Sequence, residues 1–150
     1  MCRQSAIFLM AVLMISLPAL AQTQPKSKLR VTVADLMTPA KNQRLIGREV
    51  TVWYQPVQVK TGSSAIWVGP NEDHMVLVTI PPTVHVLDRD GEPADLDEGD
   101  YVQIHALVIR SPNDYQLKKG WGVNGDDLFL AQEAGVILMA DTITLMAEHD

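Results

Sequence analysis

Residues 45–70 (LIGREVTVWYQPVQVKTGSSAIWVGP) constrain the fold more than any other stretch of this chain. Val50, Val52 and Tyr54 alternate with Thr51, Trp53 and Gln55, the period-two pattern of a strand with one face on a core. After Pro56 the phase changes, and Val57 and Val59 become the apolar pair. A one-residue slip beside a proline is the mark of a bulge or sharp bend. Residues 61–64 (TGSS) turn the chain into a second strand, 65–69 (AIWVG), where Ile66 and Val68 share one face and Trp67 takes the other. A long strand bent in its middle can serve two parts of a small closed sheet.

The remaining segments read as its partners. Residues 75–80 (MVLVTI) form a strand with Val76, Val78 and Ile80 inward, and Val84, Val86 and Leu87 extend the sheet briefly. Residues 88–100 (DRDGEPADLDEGD) are acidic and turn-rich. They lead into 101–110 (YVQIHALVIR), the clearest strand, with Val102, Ile104, Ala106 and Val108 on one face. Residues 111–135 lack a β pattern. Within them 126–134 reads as a helix, acidic at its start and followed by Gly135. The last strand is 136–146, where Asp141 marks a bend or an edge position. Ahead of the bent strand, one or two short helices are predicted around residues 34–42. Pro39 stands as a first-turn proline after Thr38.

Residues 1–21 carry Arg3, an apolar run over 6–17 with Ser16 as its one polar residue, Pro18 and the small-x-small sequence Ala19-Leu20-Ala21. This is the pattern of a secretory signal peptide, predicted to be cleaved after Ala21. The apolar run is shorter than the roughly 20 residues of a membrane span. The division expected is therefore 1–21 signal peptide, 22–32 flexible mature N-terminus and 33–150 one domain, exported to the periplasm or beyond the cell, with no membrane span in the mature protein. Cleavage removes Cys2, the only cysteine. Disulfides, a cysteine nucleophile, a Cys-ligated zinc site and thiol redox chemistry are then excluded, and stability must come from a packed core. The net charge of −6 gives no electrostatic footprint for a phosphate backbone.

The order of elements predicts a mainly β fold: a small five-stranded, antiparallel OB-like Greek-key barrel with a short N-terminal helix and a partly helical insertion before the last strand. A generic β-sandwich is the rival architecture. The segments Leu-x-Gly-Arg-x-Val-x-Val (45–52), Ile-Trp-Val-Gly (66–69), Val-x-Val (76–78) and Glu-Gly-Asp-x-Val-x-Ile-x-Ala-x-Val (98–108) resemble the secreted bacterial OB-fold-like domain proteins. The insertion bearing Trp121 and the closing strand over 137–145 also resemble that group. The resemblance implies a fold and an envelope location. It implies no catalytic residue, because its glycines are turn residues and its valines are core.

If Val50, Val52, Ile66, Val68, Val102 and Ile104 fill the interior, alternation puts Trp53, Gln55, Trp67, Tyr101, Gln103 and His105 outside. OB-type domains bind oligonucleotides or oligosaccharides on the outer face around strands two and three. Flat aromatics with amide neighbours suit stacking on sugars or bases. The reading favoured for these six side chains packs them under the N-terminal helix or the 111–135 insertion, as small barrels often cover part of their outer face. The acidic run does not match an EF-hand, whose glycine belongs at the sixth position, and it reads as a solvated turn. His74, His85, His105 and His149 lack local metal-ligand spacing. No Gly-x-Ser-x-Gly, His-Glu-x-x-His or phosphate-binding glycine loop occurs. No catalytic, metal or cofactor site is therefore assigned.

The sequence favours an exported, non-enzymatic binding or protein-interaction module of the bacterial envelope, using this aromatic face for an envelope protein or a small polar or glycan-like ligand. The alternative is a structural accessory domain whose face is covered and which acts through a strand edge. A small hydrolase, or a nucleic-acid or oligosaccharide binder, ranks third; acidity and export both disfavour nucleic acid.

Overall fold

The computed structural model describes residues 28–111 and 125–147. The predicted signal peptide, Trp121 and His149 lie outside them. Among the described residues the chain is mainly β, with one 7-stranded sheet and three short helices.

Strand β1 (Leu29–Val31) runs parallel to β2 (Glu49–Thr61). Residues 29–31, expected within a flexible N-terminal stretch, are thus a paired strand. Arg30 pairs with Thr51 and Val31 with Val52, and Val31 is drawn into the core. Helices α1 (Val33–Met37) and α2 (Pro39–Leu45) follow. Thr32 caps α1 reciprocally: its Oγ1 accepts from the Asp35 amide at 3.1 Å, and Asp35 Oδ2 accepts from the Thr32 amide at 3.1 Å. Lys41 Nζ also donates to Asp35 Oδ1 at 2.7 Å. The Lys41 ammonium, followed by the Thr32 hydrogen bonds, lowers the Asp35 carboxyl from 3.8 to about 2. Pro39 begins α2 directly after Thr38, as its fixed φ favours.

The chain continues through β3 (Ala65–Asn71), β4 (His74–Thr79), β5 (Val86–Leu87) and β6 (Tyr101–Arg110), then α3 (Gly125–Ala134) and β7 (Val136–Met146). The antiparallel pairs are β2–β3, β3–β4, β2–β6 and β6–β7. The pairs β1–β2, β4–β7 and β5–β7 are parallel. The expected five antiparallel strands thus become seven strands with three parallel joins. Parallel partners come from distant segments and need no tight turn between them, so they leave no local sequence mark. The pairings run β2–β3–β4–β7–β6 and return to β2, so the sheet closes partly in a ring. The β4–β7 join is narrow, with Val78 opposite Leu138 and Thr79 opposite Met139. There Thr79 Oγ1 also donates to the Leu138 carbonyl at 3.3 Å.

The inward positions form the main core, with Val50, Val52, Ile66, Val68, Val76, Val78, Val102, Ile104 and Val108 fully or almost fully buried. Leu36 and Leu45 add the apolar sides of the two N-terminal helices to it. A second cluster lies on the outer side of the sheet. Ala65, Trp67, Leu77 and Ile137 are buried there against Ala131 of α3, with Met75 and Ile109 packed alongside.

Strand β2 bends at two register shifts. One lies between Val52 and Gln55 against β6, the other between Val57 and Val59 against β3, so the pair flanks Pro56. At the first shift Trp53 and Tyr54 together oppose the single residue Gln103, a β-bulge. Tyr54 takes φ 50°, the one positive φ of a non-glycine among the described residues.

Candidate ligand-binding face

The six side chains placed outward by alternation separate into three groups. Trp53, Gln103 and His105 stand on one half of the outer face. Gln55 and Tyr101 brace the bulge beside them. Trp67 lies on the other half and is covered.

The open half is built by cross-strand register. Arg30, Thr51, His105 and Thr142 form one row across β1, β2, β6 and β7. Thr144 lies opposite Gln103 in the next row. Trp53 is 40% exposed, and the Arg30 guanidinium lies over its ring at 5.2 Å from the centroid. This cation–π contact fixes one side of the indole. The imidazole is held from both ends: His105 Nδ1 is 2.8 Å from Thr51 Oγ1, and Gln103 Nε2 is 2.9 Å from His105 Nε2. With the Gln103 amide donating to Nε2, the hydrogen-bond pattern assigns a neutral ring whose Nδ1–H donates to Thr51 Oγ1. Partial burial, reinforced by the Lys28 ammonium and opposed by Asp141, lowers the His105 pKa below its ordinary 6.5. Lys28 and Asp141 form an ion pair at 3.0 Å. The face thus offers an aromatic plane, a hydroxyl row, an amide, a neutral imidazole and an arginine.

Gln55 departs from its predicted side. The phase slips at Trp53–Tyr54, ahead of Pro56, so Gln55 pairs with Val102 on the inward phase. Its Nε2 donates to the Trp53 and Tyr54 carbonyls, both at 3.2 Å, and steadies the bulge. Tyr101 stacks on Tyr54 with ring centroids 4.5 Å apart and planes 22° apart, while Tyr54 Oη donates to the Ala147 carbonyl at 3.4 Å. The bulge and its aromatic stack set where Trp53 projects. Sequence alternation passed over Arg30, Thr142 and Thr144, because a row across four strands requires the register.

Trp67 does not stand on an open face but packs under the 111–135 segment, as the covered reading of these side chains has it. It is 2% exposed beneath α3, and its Nε1 donates to Asp127 Oδ1 at 2.7 Å. Thr61 Oγ1 donates to Asp127 Oδ2 at 3.1 Å. The outer face of β3 and β4, where the sequence reading looked for a ligand, is therefore packed. Its signal was present: Trp67, Met75 and Leu77 make that side apolar too, and a strand apolar on both phases is covered on both faces.

The acidic connection uses its carboxylates as turn caps. Asp88 Oδ1 accepts from the amides of Asp90 and Glu92, both at 2.9 Å. Asp100 Oδ2 accepts from the Asp97 amide at 2.8 Å. Among the described residues no group of three or more His, Cys, Asp and Glu side chains converges as a metal site, and no helix is long and apolar enough to cross a membrane.

No family model matches the chain, and no curated protein matches it. Among solved structures, a chain assigned as an aspartyl-tRNA synthetase from Leishmania major Friedlin is similar over 89% of this chain and 24% of its own length. Its identity is 13% and its TM-score 0.48.

Proposed function

We propose that this chain is an exported, non-enzymatic binding module of the bacterial envelope, built on an OB-type Greek-key barrel. It takes a small polar or glycan-like ligand on the open half of its outer face. The ring of pairings β2–β3–β4–β7–β6, five strands that close partly on themselves, supports the OB reading. One observation carries the binding reading: Trp53 is 40% exposed beside the Arg30–Thr51–His105–Thr142 row, an aromatic plane next to fixed hydrogen-bonding groups. Export rests on the N-terminal sequence pattern.

Titration with soluble neutral oligosaccharides and peptidoglycan fragments, followed by tryptophan fluorescence, tests the reading. A saturable change that Trp53→Ala removes is expected. No response in the intact protein at millimolar ligand would sink the glycan-like reading. The accessory-domain reading gains support from α3, which covers the Trp67 half. Under that reading acrylamide would fail to quench Trp53.

A further inference from the structure

A cleft of about 270 Å³ opens between α1, the β3–β4 turn and the C-terminal end of α3, away from the Trp53 face. Met37, Met75 and Leu130 give it apolar walls beside the covered Trp67, and Glu72, Asp73 and Glu133 stand among its lining residues. All three acidic residues are exposed. The ion pairs among the described residues join Lys28 to Asp141, Lys41 to Asp35 and Lys60 to Asp97, so none engages these carboxylates. The volume falls just below the roughly 300–1,000 Å³ of drug-sized ligand pockets. It suits one or two long side chains. Thioether walls adapt to different occupants, an aliphatic stem can lie on them, and a cationic head then reaches the carboxylates.

We propose that this cleft binds a basic, partly apolar segment of a partner protein, an arginine or lysine beside an aliphatic residue. Charge complementarity selects the occupant: an apolar floor alone would take any hydrophobic segment, but three carboxylates at its edge, outside every ion pair among the described residues, repel an acidic one. The chain's net charge of −6 steers a cationic partner toward it. This site is separate from the proposed ligand face.

The test is fluorescence anisotropy of the full chain with a fluorescein-labelled Gly-Leu-Arg-Leu-Arg-Gly peptide, beside a control in which both arginines are glutamates. The basic peptide is expected to bind at least about tenfold more tightly than the control. The triple variant Glu72→Gln, Asp73→Asn, Glu133→Gln should lose about that factor, with its circular dichroism unchanged because all three positions are exposed. Trp53→Ala should leave peptide binding intact, which separates failure here from failure of the Trp53 face. Equal affinity for both peptides, equal affinity of the parent and the triple variant, or no saturable binding at millimolar peptide would each overturn the proposal.

Discussion

Trp67 keeps 2% of its surface exposed and Trp53 40%, although both project from the outer side of one sheet. The neighbours account for the difference. Around Trp67 the outward positions are Ala65, Met75 and Leu77, and α3 lies on them. Around Trp53 they are Thr51, Gln103, His105, Thr142 and Thr144, held by hydrogen bonds or left half-open. Burying the second set under a helix would strand its polar groups. Leaving the first set open would expose a contiguous apolar patch. The same residue type thus does opposite work on one sheet, and the side chains next to it decide which.

The largest break in this contrast is expected from Trp67→Ala. Removing the ring opens a cavity under α3 and takes the donor from Asp127, so stability should fall by about 3–5 kcal/mol in chemical denaturation. A loss below about 1 kcal/mol would mean that α3 does not hold that face. Asp127→Ala comes next, at about 1–3 kcal/mol, because it leaves the buried Trp67 Nε1 without its acceptor. Near-additive losses in the double variant would disprove the coupling of the two groups.

Acid should act at His105 and at Asp35 in separate windows. The folded pKa of His105 lies below 6.5, so as pH falls through that value the unfolded chain takes up the proton first and stability declines. His105→Gln should flatten this part of the Tm–pH profile and leave the lower part alone. Asp35 is lowered from 3.8 to about 2, so its contribution is complete above 3.8 and is lost as pH falls toward 2. A His105→Gln profile that superimposes on the parent's near pH 6 would contradict the half-buried neutral ring. The smallest change belongs to Trp53→Ala. It removes only an exposed ring and its contact with Arg30, so the cost should stay within about 1 kcal/mol. A cost as large as that of Trp67→Ala would erase the contrast between the two halves.

Local patterns carried much of the fold. The period-two alternation of residues 101–110 matches β6 over its whole length, and Pro39 marked the division between α1 and α2. The change of phase in residues 49–60 announced the bent β2, although the first slip falls at Trp53–Tyr54, before Pro56. What stayed hidden depended on partners far along the chain. Leu29–Val31 is too short to show a period, and it becomes a strand only because β2 offers an edge. The candidate site was half legible for the same reason. Alternation says which side of a strand His105 or Trp67 faces. It does not say which residues of other strands stand beside the first, or that a helix 60 residues away would supply the second with Asp127.

The narrow β4–β7 join has a consequence for the order in which the molecule assembles and loosens. Its two residue pairs, Val78–Leu138 and Thr79–Met139, link segments far apart in the chain, whereas β2, β3 and β4 meet through tight turns. Closing so long a loop costs entropy that only a few contacts return, so this join is expected to form late in folding. It is also the place where the ring should open first. Amide hydrogen exchange at the join itself, residues 78–79 and 138–139, should then outpace exchange in the central part of β6, which is paired on both sides by β2 and β7.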